Sequence, residues 1–107
     1  IDAVNFDYGK SSIKSESYDY LDKLAQTIIR TNASIKVKGH TDNIGSDEFN
    51  MNLSKERAQA VVDYLVGKGV KRSKLSYEYY GSSAPLMSNE TEEGRTMNRR
   101  VEFEILK

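Results

Sequence analysis

The 107-residue sequence has no cysteine, one proline, one histidine and no net charge. Each shortage excludes something. Without cysteine there is no disulfide framework, no thiolate metal site and no cysteine nucleophile. Lys plus Arg total 16 and Asp plus Glu total 16, so no cationic excess exists to displace counterions from nucleic-acid phosphates. The same balance argues against a polybasic membrane-surface module. No apolar run approaches the roughly 20 residues of a membrane-spanning helix. The chain starts at Ile1 with neither Met nor the features of a signal peptide. It therefore reads as a fragment of a longer protein, with any anchor outside it.

What is present patterns into short elements of one domain over residues 1–107. A chain of this length buries roughly 65% of the surface its unfolded form exposes, enough for a core without staples. Val4 and Phe6 share a face in a short strand over 3–7. Leu21, Leu24, Ala25, Ile28 and Ile29 make a helical stripe within 17–31. Ile35 and Val37 alternate with Lys36 and Lys38 in a strand over 34–39. A second helix is expected over 46–67, with Ser46 as N-cap, Asp47 and Glu48 in its first turn, and Phe49, Leu53, Ala60, Val61, Tyr64 and Leu65 as its apolar stripe. A strand at 75–80, a loop at 82–95 and a strand at 101–105 complete the chain. The order β-α-β-α-β-β predicts an α/β (α+β) fold: a mixed, mostly parallel four-stranded sheet with two main helices on one side.

Chemistry concentrates in the loop 39–45 and the helix after it. Loops at the carboxyl ends of strands are the usual binding locus of α/β sheets. Asp42 is a potential cation acceptor there. Asn50, Leu53 and Arg57 share one helix face, since seven residues return the direction to within about 20°. Arg57 and Asp42 admit two readings: an internal salt bridge holding loop to helix, or a split pair in which Arg57 takes a ligand carboxylate and Asp42 a ligand ammonium. His40 reads as a structural histidine at the strand end, because no nucleophile elbow accompanies it and one histidine cannot anchor a metal cluster. Asp42, Asn43, Asp47 and Glu48 do not match calcium-loop spacing. Glu90, Glu92 and Glu93 read as a solvated acidic loop, clipped to the last strand by Arg95, Arg99 and Arg100. Tyr77 and Tyr79 share a strand face, a half-buried edge or a sugar-stacking surface.

Three stretches carry a family resemblance: Gly39-His-Thr-Asp-Asn-Ile-Gly45, Asn50-Met-Asn-Leu-Ser-Lys-Glu-Arg-Ala58 running into 61–65, and Gly94-Arg-Thr-Met-Asn-Arg-Arg-Val101 following Asn89. With Phe6-Asp7, they resemble the OmpA-like C-terminal domain family of OmpA-type porins, peptidoglycan-associated lipoprotein and MotB, over nearly the whole chain. The resemblance implies a periplasmic, non-catalytic domain at the outer membrane of a diderm bacterium. It implies non-covalent binding of peptidoglycan through the diaminopimelate of the stem peptide, with no metal and no cofactor. It assigns the ligand's ammonium to Asp42 and its carboxylate to Arg57, lines the pocket with Thr41, Asn50 and Leu53, and places further contacts at Phe6 and Asp7. Envelope proteins, or a second copy of the domain, are the alternative partners. The membrane is reached only through segments outside this chain. Tyr79 departs from the small residue the family often has there, a difference expected to affect loop packing.

Overall fold

Amphipathic periodicity and capping chemistry set the two long helices. The structure, a computed structural model, describes residues 3–106. Helix α1, Tyr18–Thr31, buries Leu21, Ala25 and Ile28 and ends at Asn32 in the left-handed region (φ 57°). Helix α2, Asp47–Gly67, starts where expected: the Ser46 hydroxyl accepts from Phe49 N at 3.1 Å. Its buried face holds Ala58, Val61, Val62 and Leu65. Phe49 belongs to the expected stripe, yet is 47% exposed, because it lies in the first turn of α2 over the Gly45 loop. Ile29 in α1 is likewise exposed.

The strands are β1 (Ala3–Asn5), β2 (Ser34–Gly39), β3 (Leu75–Tyr79) and β4 (Arg100–Leu106), ordered β1-β4-β2-β3. The sheet is mixed, as expected, but its balance differs. Among the described residues only β2 and β3 pair in parallel; β4 sits in the interior, antiparallel to both β1 and β2. The crossover through α2 makes the one parallel pair. After β3 the chain instead turns back through residues 80–91 and a short helix, α3 (Glu92–Asn98), and enters the sheet in the opposite direction. Helix α3 occupies part of the expected loop. Thr91 caps it, with its hydroxyl accepting from Gly94 N at 3.0 Å, and Glu92 and Glu93 fill the first turn. With Met97 as its one large apolar residue, it has no stripe to betray it.

Both long helices cover one sheet face, enclosing Val4, Ile35, Val37 and Val101 with the helical stripes. Gly39 allows the closest approach: a Cβ there would lie 2.0 Å from the Ser54 carbonyl oxygen of α2. The opposite face is a polar ladder. Lys36 pairs with Glu78 at 3.3 Å, Lys38 with Glu104 at 2.8 Å, and Arg100 with Glu102 at 2.7 Å. His40 is 3% exposed, with its ring stacked on Tyr80 at 5.1 Å. It is structural, but its strand-end hydrogen bond comes from the backbone, His40 N to Arg100 O at 2.9 Å. Its ring nitrogens make no hydrogen bond, although Nε2 lies 3.4 Å from a Glu102 oxygen.

Gly39→Ala forces backbone apart at the sheet–helix seam and is expected to cost about 2 kcal/mol or more, read as a lower urea midpoint. Burial, then the Arg100 charge, push the His40 imidazole down from 6.5 to about 4. The unfolded chain therefore takes up a proton that the folded chain refuses. Stability should fall between pH 6.5 and 4 by on the order of 3 kcal/mol. His40→Phe keeps the stack on Tyr80 and should flatten that segment of the pH–stability curve. An unchanged slope in the variant would place the proton elsewhere.

Candidate functional site

Three strand ends converge beside the start of α2. Chain leaves β1 at Phe6 and Asp7, β2 at His40 to Asp42, and β3 at Tyr80 and Gly81, while Arg99 leads into β4. The loop after β2 is pinned to that after β3 by Thr41 N donating to Gly81 O at 2.9 Å. The Ser54 hydroxyl of α2 accepts from Gly81 N at 2.9 Å. Asp42 is thereby held at 3% exposure. One of its carboxylate oxygens accepts from Ile44 N and the other from Arg99 Nη1, each at 3.1 Å.

Arg99 is thus the direct partner of Asp42. The Arg57–Asp42 salt bridge, one of the two readings of the spacing, is not formed. Arg99 also donates from Nε to Phe6 O (3.1 Å) and from Nη2 to Glu92 (3.1 Å) and the Thr96 hydroxyl (3.0 Å). The expected clip between the acidic segment and the last strand exists through Glu92, which also pairs with Arg95. These cations hold the Glu92 carboxyl below its usual range, Arg99 foremost. Sequence reading missed Arg99 at the site because it lies 57 residues from Asp42. Its neighbourhood arises only when β4 is inserted between β1 and β2.

Arg57 is fully buried and bound to backbone. Nε donates to Lys10 O at 2.8 Å, Nη1 to His40 O at 2.9 Å and Nη2 to Asp7 O at 3.1 Å. Its guanidinium lies 5.2 Å from the Phe6 ring centre, a cation–π distance. Burial pushes its pKa down to about 10; the Asp42 charge works the other way, and Arg99 adds to the fall. The carbonyls of Asp7 and Lys10 belong to one tight turn, closed by Lys10 N donating to Asp7 O (3.1 Å) with Gly9 at φ 69°. Arg57 therefore ties the first turn of the chain to the end of β2.

The other expected residues separate into two groups. Phe6, Thr41, Asn50 and Leu53 are buried around this junction. The Thr41 hydroxyl is taken by the Asp42 carbonyl at 2.7 Å. Asn50 is 1% exposed, and neither end of its side-chain amide has a hydrogen-bond partner. A buried amide left unpaired is costly, so this one is open to a hydrogen-bond partner from outside the chain, water included. Asp7 contributes its carbonyl only, for its exposed carboxylate turns to Lys14 at 3.5 Å. Tyr79 stands apart on the β3 edge, 39% exposed, stacked on Tyr77 at 6.2 Å and facing the Lys55 ammonium at 5.7 Å. Arg57→Ala should lower stability by about 3 kcal/mol or more, because three buried or partly buried hydrogen bonds to backbone are lost. Arg57→Lys should recover only part of this in the same urea titration, since a point ammonium cannot reproduce the fork.

Comparison with known proteins agrees with this architecture. The model of the OmpA family matches residues 5–99. Outer membrane porin F of Pseudomonas aeruginosa is 43% identical over 104 residues, covering 95% of this chain and 30% of that protein. The chain thus spans less than two thirds of the length of the curated relatives it matches. The crystal structure of the peptidoglycan-associated lipoprotein from Burkholderia pseudomallei superimposes with a TM-score of 0.95 at 26% identity, over 99% of this chain and 91% of that one. The C-terminal domain of Helicobacter pylori MotB gives 0.91 at 29% identity, over 100% and 85%. With its strand order, its strand-end loops and a family match over most of its length, the chain is a member of the OmpA family.

Proposed function

We propose that this chain is a non-catalytic domain that holds peptidoglycan through the diaminopimelate of the stem peptide, on the periplasmic side of an outer membrane. The observation that carries the reading is the junction of a buried carboxylate, two guanidinium groups and an unpaired amide at Asp42, Arg99, Arg57 and Asn50. Family membership and the likeness to a peptidoglycan-associated lipoprotein support it. Diaminopimelate carries an ammonium and a carboxylate at its side-chain end. Its ammonium replaces Arg99 at Asp42, and its carboxylate meets the guanidinium so released, exchanging one ion pair for two. Arg57 has one N–H left on each Nη nitrogen. Those N–H groups are what it can add to the carboxylate's contacts. Asn50 offers one donor group and one acceptor to a peptide bond of the stem.

Each charge-assisted hydrogen bond contributes roughly 1.5–3 kcal/mol. A few of them on a small ligand, less the cost of ordering it, give modest affinity at a single site. Firm attachment then comes from many stem peptides on one polymer. A contact surface for an envelope protein is the second reading. It is favoured by exposed Leu86, Met87 and Met97 beside a cleft of about 350 Å³ that also borders Asn5 and Arg100.

Calorimetric titration with two stem peptides, one carrying diaminopimelate and the other lysine in its place, separates the possibilities. The diaminopimelate peptide should bind at least tenfold more tightly, about 1.4 kcal/mol, because the lysine side chain ends in an ammonium alone and leaves the guanidinium pair without a carboxylate. Asp42→Asn should lose pelleting with cell-wall sacculi while keeping its far-ultraviolet circular dichroism, at a lowered melting temperature because Arg99 loses its buried partner. Equal affinity for the two peptides would sink the assignment. Capture of a periplasmic protein without sacculus binding would favour the second reading.

A further inference from the structure

The zero net charge conceals a segregation of charge along the molecule. From Asp63 to Glu78 there is no acidic residue in between, but there are Lys68, Lys71, Arg72 and Lys74. The fold brings these to the end where β2 and β3 begin, opposite the Asp42 junction. The carboxyl end of α1 adds Arg30. Among the described residues, Lys68 pairs with Asp22 at 3.5 Å and Arg72 with Asp63 at 3.3 Å, all partly or largely exposed. Arg30, Lys71 and Lys74 have no ion pair among the described residues.

Helix ends account for only part of this charge. Two helices, α1 and α2, finish here, and each carboxyl terminus carries roughly half a negative unit. With Asp22 and Asp63, that leaves about two positive units unbalanced. Apolar surface lies among them. Ile29 is 53% exposed, beside a cleft of about 180 Å³ lined by Ile28, Val70, Lys71 and Lys74. Cations around a small exposed apolar patch match a layer of anionic headgroups over acyl chains. A phosphate-rich ligand without an apolar part would leave Ile29 in water.

We propose that this end of the domain docks on a bilayer containing anionic phospholipid. Strand β1 does not reach this end: Ala3 faces Glu102, which faces Lys38 near the Asp42 end, so the starts of β2 and β3, the finish of β4 and the finishes of α1 and α2 form the basic end. The domain then turns its basic end to lipid and its Asp42 end to whatever that site binds. The proposal does not depend on the stem-peptide reading, because it involves neither that site nor its ligand.

Flotation of the chain with phosphatidylcholine vesicles, with and without phosphatidylglycerol, tests it. At low ionic strength, partitioning onto the anionic vesicles should exceed that onto the neutral ones by about fivefold or more, and added salt should abolish the difference. Lys71→Glu combined with Lys74→Glu should cut anionic-vesicle binding by about tenfold or more, with circular dichroism and sacculus pelleting unchanged. Lys55→Glu, a charge reversal within α2 and away from this end, should change it by less than about twofold. Equal partitioning onto both vesicle types overturns the proposal, as does an equal loss in the Lys55 and Lys71/Lys74 variants.

Discussion

The buried guanidinium of Arg57 is the constraint from which the rest of the site's geometry follows. An isolated charge in a protein interior costs several kcal/mol, and here three backbone carbonyls and the face of Phe6 offset that cost. Those carbonyls come from the first turn of the chain and the end of β2, and the guanidinium from the middle of α2. One side chain therefore sets how the loop after β1, the loop after β2 and the long helix meet. The Asp42 charge close by opposes the loss of basicity that burial imposes.

Around that fixed point the charges form a nested set. Asp42 is satisfied by Arg99 and a backbone amide; Arg99 in turn spans Phe6, Asp42, Glu92 and Thr96. Helix α3 is short and poor in apolar residues, and its place depends on such polar ties, including the Asn98 carboxamide oxygen accepting from Leu86 N and Met87 N. An ion pair at the entrance of a site can be exchanged for contacts with a zwitterion without leaving a buried charge bare. The Asn50 amide, like the His40 ring nitrogens, finds no hydrogen-bond partner among the described residues.

The same balance of charges has a different meaning at each level. As a sum it excludes polyanion binding by brute excess. Resolved in space, it is a ladder of cross-strand pairs on the open sheet face, a compensated cluster at the strand ends, and a basic end where the helices finish. Screening limits each charge to a radius of about 10 Å, so a partner at one end feels the local arrangement and not the total.

Periodicity and local chemistry made much of this legible from the chain alone. The alternation at 34–39, the stripe of α1, the Ser46 cap and the family motifs around Asp42 and Arg57 are short-range signals, written within a few residues. The position of β4 is not such a signal. It depends on which edge of the half-built sheet the returning chain meets, and it turned an expected mostly parallel sheet into one with a single parallel pair. From that insertion came the partnership of Arg99 with Asp42 and the closure of Arg57 by distant carbonyls. The separation of the basic end from the compensated cluster around Asp42 came from the crossover through α2 and the common end point of the two helices. The sequence by itself determined which residues are able to bear charge, cap or pack; only the tertiary structure decided which charges meet, because electrostatic and hydrogen-bond energies depend on distance in space and not on separation along the chain.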